Sequence, residues 1–235
     1  MSVIANTKIA IIQSNYIPWV GYFDIINSVD EFVILDEVQY TARDWRNRNR
    51  ILTPNGLHWL TVPVESAKIS RETLIEEVEV KDNGWATSHL DLIRRNYRKA
   101  PYFEPVFEVL EKAYSDCNVN KLTTVNQVLL SNIADLMNIS TKFSNSRSYP
   151  HLGGSKGDRI LEICEAAGSE VYVSGPAARG YLDENKFKKK GVNVVWFDYK
   201  YKSYKKVWGD TNESLSVIDL LFAIGPDCLS KIRIT

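Results

Sequence analysis

Two short β-branched runs separated by a helix-length segment constrain this chain more than any other feature. Lys8-Ile-Ala-Ile-Ile12 has the makeup of a strand buried on both faces. It ends at Gln13, where Gln13-Ser-Asn-Tyr-Ile-Pro-Trp-Val-Gly-Tyr22 reads as a polar loop containing Pro18 and Gly21. A helical segment from Phe23 to Val29 leads to a second strand, Glu31 to Leu35. Crossovers between parallel strands are nearly always right-handed, which puts the loops after Ile12 and Leu35 on the same carboxyl edge of a sheet. Ligands of open α/β sheets bind at that edge.

Downstream, Trp59 to Val64 and Ile75 to Val80 alternate like strands, with Asn55-Gly56 as a turn before the first and Pro63 suggesting an edge position. From Trp85 to about Met137 apolar residues recur at helical spacing, broken at Ala100-Pro101, which predicts two or three helices. A helix from Asp158 to Ala167 stopping at Gly168, a strand from Glu170 to Ser174, a short helix from Asp183 to Lys190 and a strand from Val192 to Phe197 form a second α/β stretch. A helix from Leu215 to Ile224 closes it. The expectation is one α/β domain over residues 1–235, with a mostly parallel Rossmann-like sheet and a mainly helical insert at about 85–140. No repeat, low-complexity tract or linker interrupts the sequence.

Composition narrows the function classes. With 44% hydrophobic and 25% charged residues, a core of this size can be buried without disulfides or structural metals. The 29 basic residues balance 29 acidic ones, so no global field draws the chain onto duplex DNA or anionic lipid; a nucleic-acid contact is not favoured and would have to be local. Cys117, Cys164 and Cys228 are an odd number with no CxxC pair, which argues against a disulfide framework or a zinc site and fits a reducing cytosol. Met1 to Asn6 lacks a basic leader region, and no apolar run approaches the roughly 18 residues that span a bilayer. A cytoplasmic protein without a membrane span is expected. His58, His89 and His151 show no metal-ligand spacing and read as surface or packed histidines, with His151, beside a glycine loop, the one with a functional option. No metal ligand set, GxSxG elbow or cysteine nucleophile context is present. Lys186 to Lys190 reads as a solvated helix face. Tyr199, Tyr201 and Tyr204, interleaved with lysines, fit either a single-stranded nucleic-acid track or a twisted edge strand.

The densest chemical signal is Asp36-Glu-Val-Gln-Tyr-Thr-Ala-Arg-Asp-Trp-Arg-Asn-Arg-Asn-Arg-Ile51, with three acids, four arginines and two asparagines in 16 residues. Planar guanidinium forks grip phosphate or carboxylate bidentately, and amides read a sugar or base edge. A solvated charged loop is the plainer alternative; Trp45 counts against it, because a large aromatic amid five charges packs on something or stacks on a ligand. Gln13, Ser14, Asn15 and Tyr16 should face the same cleft, although Asn and Ser also favour loops for purely local reasons. In Gly153-Gly-Ser-Lys-Gly-Asp-Arg159, backbone N–H groups with Lys156 and Arg159 suit a phosphate, and a flexible loop with a basic edge is the blander reading. Ser174-Gly-Pro-Ala-Ala-Arg-Gly-Tyr181 leaves a strand at a glycine turn, where Gly175 allows close approach to a ligand or simply makes a tight turn.

Ile12 to Asp24, Leu35 to Tyr40, Trp45 to Ile51, Trp59 to Pro63, Tyr172 to Gly175 with Tyr181, and Leu215 to Asp219 resemble, in order and over nearly the whole chain, the WbqC-like protein family. Ser14 stands where a proline is expected in most relatives. The resemblance implies a place in O-antigen and other surface-polysaccharide gene clusters; some relatives look like phage enzymes that attach an amino acid to a pyrophosphorylated thymine base. A second likeness is to the nucleotidyltransferase and HUP type of Rossmann-like fold. Pro18-Trp-Val-Gly-Tyr22 follows its PxHxGH spacing, but Trp19 and Tyr22 replace both histidines, so the fold carries over and histidine-assisted adenylyl transfer does not.

Taken together, these readings predict a transferase that adds an acyl or aminoacyl group to an anionic, nucleotide-linked sugar or similar diphosphate. Asp36 is the expected base, with Gln39 and Tyr40 beside it. Gln13, Asn15, Tyr16, Trp45, Arg46, Asn47, Arg48, Asn49, Arg50, Lys156, Arg159, Ser174, Gly175 and Tyr181 are expected to bind substrate. Amino-acid transfer onto an activated thymine base and non-catalytic sugar-nucleotide binding stand as alternatives. No cofactor is identified beyond a nucleotide-containing substrate, and the sequence carries no signal for oligomeric state.

Overall fold

A computed structural model describes residues 7–117, 120–154 and 156–234; the leader reading of residues 1–6 and Ser155 of the glycine loop lie outside these. The chain separates into two compact units, one of Met1–Gln13, Asp24–Glu37 and Thr141–Tyr199, the other of Ser14–Phe23, Val38–Ser140 and Lys200–Thr235.

The first unit is built on five parallel strands: β1 (Lys8–Ile12), β2 (Glu31–Ile34), β5 (Lys142–Asn145), β6 (Val171–Ser174) and β7 (Asn193–Trp196), in the order β5-β2-β1-β6-β7. Successive strands run to one side of β1 and then resume on its other side, so the order reverses between β1 and β6, the topological switch point of a Rossmann-like sheet. The β-branched residues explain the centre. Ile9, Ala10, Ile11, Phe32 and Val33 are buried on both faces, and each large aliphatic or aromatic side chain so buried contributes about 1.5–3 kcal/mol. Register pairs Ile11 with Val33 and Ile9 with Tyr172.

Around this sheet α5 (Gly157–Ala166) buries Ile160, Ile163 and Cys164, and α6 (Glu184–Lys189) buries Phe187 against Tyr172 with ring centroids 5.7 Å apart. The chain leaves α5 through Gly168 at φ +64°, a left-handed turn that costs glycine little and lets the N–H groups of Gly168 and Ser169 cap the last carbonyls. Parallel pairing confirms the sheet expected from the sequence. Strand β5 was not anticipated; its Lys-Phe-Ser-Asn has one large apolar residue, Phe143, which meets Phe32 edge-on.

The second unit combines a hairpin, β3 (Arg48–Thr53) with β4 (Gly56–Thr61), and the helices α2 (Trp85–Tyr97), α3 (Phe103–Asp116), α4 (Leu122–Leu136), α7 (Val217–Ile224) and α8 (Cys228–Ile232). The remaining helix, α1 (Val20–Asn27), begins in this unit and ends in the other. Three helices fall where the periodicity over 85–137 placed them, and their shared core includes Ile93, Leu110, Leu129 and Ile133. Phe222 of α7 stacks on Tyr97 of α2 at 4.6 Å. The segment 75–80 departs from the expected strand. It makes a 3-10 turn at Ile75–Glu77 and then isolated bridges from Glu79 and Val80, because its partners at Lys121 and Val64 each offer a single pairing position. Among the described residues no helix is long and apolar enough to cross a membrane.

Candidate functional site

In the first unit the sheet topology brings Gln13, Asp36, Ser174 and Gly175 to one carboxyl edge, at or just past the ends of β1, β2 and β6. Asp36 is fully buried, Gln13 is half-buried, and Ser174 is buried. Gly175 is small for a reason: a Cβ there would stand 3.1 Å from the Tyr199 hydroxyl. Burial, with the carboxylate of Asp24 nearby, pushes the Tyr199 phenol up to about 12, so it keeps its proton at neutral pH.

Arg159 does not face a phosphate loop. Its Nε donates to Glu37 at 2.7 Å, and its two terminal nitrogens donate to the carbonyls of Pro150, Ser146 and Tyr149. Both partners of that ion pair are 4% exposed, so the guanidinium binds the loops after β2 and β5 to the start of α5. Lys156 is exposed at φ +51°, and Tyr181 is also exposed, its carbonyl adjoining Gly157 of the same glycine loop.

In the second unit the arginine-rich segment is a strand with two different faces. Asn47 and Asn49 point inward. The Asn49 amide donates to the carbonyls of Tyr16 and Ile17 at 3.1 and 2.9 Å, and that of Asn47 to Val62 at 3.0 Å. Ile17 sits at φ +33°, a region costly for a β-branched residue, and the Ser216 hydroxyl also grips its carbonyl at 2.7 Å. From α4, Asn126 donates to Ser14 Oγ and to the Arg46 carbonyl. Asn49 and Asn126 thus hold the 14–17 loop and Asn47 holds Val62, rather than presenting amides to solvent.

The outward face carries charge and aromatics. Register sets Arg50 opposite Trp59. Arg48 lies over the Trp59 ring at 4.2 Å, Arg50 lies 5.2 Å from Trp59 and 5.5 Å from Trp45, and the two indoles are 5.7 Å apart. Both tryptophans remain 39% exposed. Arg50 also pairs with Glu213 at 2.9 Å, and Arg46 donates to Asn15. The Nε–H groups of Arg48 and Arg50 are buried with no acceptor, a cost that a bound anion would remove. Stacked guanidinium on indole is worth about 0.5–2 kcal/mol and keeps both planes fixed. Gln39 is exposed and bridges Leu74, while Tyr40 is buried, its backbone N–H bonded to Thr73 and its phenol pushed up by burial and by Asp44.

Behind the loop, the Tyr16 hydroxyl bonds His89 Nδ1 at 2.7 Å and the Tyr114 hydroxyl, with Trp85 edge-on to Tyr16. Burial lowers His89 to about 4, so the ring is neutral and Nδ1 accepts while the other nitrogen serves the Thr61 carbonyl. From sequence, His89 is a surface or packed histidine and Trp59 a strand residue. The signal for Trp59 was present: extending the Asn55-Gly56 turn backward as a hairpin pairs it with Arg50. Among the described residues no group of three or more His, Cys, Asp or Glu gathers as a metal site. The three cysteines are buried and free, their thiols pushed up to about 12 by burial.

The chain belongs to the WbqC-like protein family, whose model matches residues 13–231 and so spans both the carboxyl edge and the arginine–tryptophan face. It is 44% identical over 232 residues to Rv1507c, an uncharacterized protein of Mycobacterium tuberculosis, with 96% of this chain and 97% of that protein covered. No solved structure matches it significantly. The family is associated with proteins of polysaccharide biosynthesis.

Proposed function

We propose that the protein is a transferase of surface-polysaccharide assembly that adds an acyl or aminoacyl group to a nucleotide-linked sugar or similar diphosphate. The observation that carries this reading is the pair of arginines over the Trp45 and Trp59 rings with their Nε–H groups unsatisfied. Half-exposed indoles take a planar ring, and guanidinium donors without acceptors take phosphate oxygens. The Rossmann-like sheet and the family's association with polysaccharide biosynthesis support the same substrate class. In the transfer, an amine of the sugar forms a C–N bond to the carbonyl of an activated donor, and the donor's leaving group departs with its electron pair. The proton released from nitrogen passes to a general base, for which Asp36 is the expected residue.

Tryptophan fluorescence and thermal-shift titrations with nucleotide sugars, pyrophosphorylated pyrimidine nucleotides and neutral glycosides test the binding. A diphosphate should bind and the glycosides should not, with Arg48→Ala and Arg50→Ala each weakening the hit at least tenfold. Failure of every diphosphate to bind, or equal binding by both variants, refutes the reading. Mass spectrometry of hits incubated with acyl and aminoacyl donors then separates a transferase from a binder, and an Asp36→Asn variant with intact turnover removes Asp36 as the base.

A further inference from the structure

A concavity opens in the second unit where the chain enters α7. Its volume is about 280 Å³. Liquid water occupies roughly 30 Å³ per molecule, so the space suits a ligand of about nine or ten heavy atoms, too small for a nucleotide sugar. The walls are apolar and aromatic, with Trp19, Val20, Tyr201, Tyr204, Leu220 and Ile232 contributing.

Two of these rings are fixed before any ligand arrives. The Trp19 indole lies back over Gly21 so closely that a Cβ there would stand 2.4 Å from it, and Tyr201 meets it edge-on at 6.1 Å. The Tyr204 hydroxyl donates to Asp219 at 2.9 Å, while the Lys206 ammonium stands 5.0 Å over its ring. Pockets of this build, with apolar walls and a few placed polar groups, bind small molecules without rearrangement.

Charge decides the head group. Lys202 and Lys206 line the opening, and the acid that joins them, Glu213, is already paired to Arg50. The carboxylate of Asp219 lies buried behind Tyr204, accepts the hydroxyls of Tyr97 and Tyr204 and feels the Lys206 charge from inside the wall without lining the pocket. Among the lining side chains two lysines stand against one glutamate. We infer that this pocket binds a small monoanion with an apolar body, an aromatic or branched aliphatic monocarboxylate, its carboxylate on Lys206 and its body against Trp19, Tyr201 and Leu220. The inference does not require the transferase reading, although Arg50, which pairs with Glu213 at the rim, belongs to the face proposed there.

The test uses the full chain and benzoate, with benzamide and benzylammonium as neutral and cationic matches, followed by calorimetry and ligand-observed saturation-transfer NMR. Benzoate should bind saturably and at least tenfold more tightly than either match. Lys206→Gln should weaken benzoate about fivefold or more, and Ser203→Trp, which fills the mouth from an exposed loop position, should abolish binding. Uridine monophosphate should not displace it. The absence of saturable benzoate binding, equal affinity for benzamide, unchanged affinity in either variant, or displacement by uridine monophosphate would each overturn the inference.

Discussion

Acid should unfold this protein partly through one imidazole. His89 is 8% exposed, its Nδ1 accepts from Tyr16, and burial holds it at about 4 against an ordinary value near 6.5. The unfolded chain therefore binds a proton that the native ring refuses anywhere between those values, and stability falls as pH drops through that window. From pH 7 to pH 5 the loss amounts to about 2 kcal/mol, reaching about 3 at pH 4. Asp219 runs the other way: burial raises its carboxyl, so protonation favours the native state as pH falls. Comparing wild type with His89→Gln cancels that opposing contribution. Urea midpoints followed by circular dichroism at pH 7, 6 and 5 should show wild type losing about 2 kcal/mol more than the variant. Parallel curves for the two proteins would refute the assignment of a neutral, proton-refusing ring.

Other consequences of the geometry are as direct. Asn49→Ala removes the amide that holds the Tyr16 and Ile17 carbonyls and should cost about 2–3 kcal/mol in urea unfolding, with Asn49→Asp no better because a carboxylate cannot donate. Arg159→Met leaves the buried Glu37 with only the more distant Arg147 at 3.3 Å and should cost about 3 kcal/mol, lowering the melting temperature by several degrees.

The parallel sheet was readable because its strands are apolar on both faces and its helices are apolar on one. Ile9 to Ile12 and Val171 to Val173 left little choice. Where pairing rather than hydrophobicity defines the element, the sequence was silent. Strand β5 has one large apolar side chain, and β3 buries Asn49 while exposing parts of Arg48 and Arg50, an inverted pattern that reads as a charged loop. The same inversion hid the asparagines, whose amides serve backbone carbonyls, and left Trp59 unconnected to the arginines until register placed it opposite Arg50. Arg159 looked like a phosphate ligand because nothing local reveals that Glu37, far away in sequence, reaches it.

The chain passes between its two units five times, after residues 13, 23, 37, 140 and 199. No single cut releases either unit, and a fragment long enough to hold all of one carries most of the other. A break at any one of these crossings, as in expressing halves, leaves segments of each unit on both pieces. Both units have to be inherited, synthesised and engineered as one indivisible polypeptide.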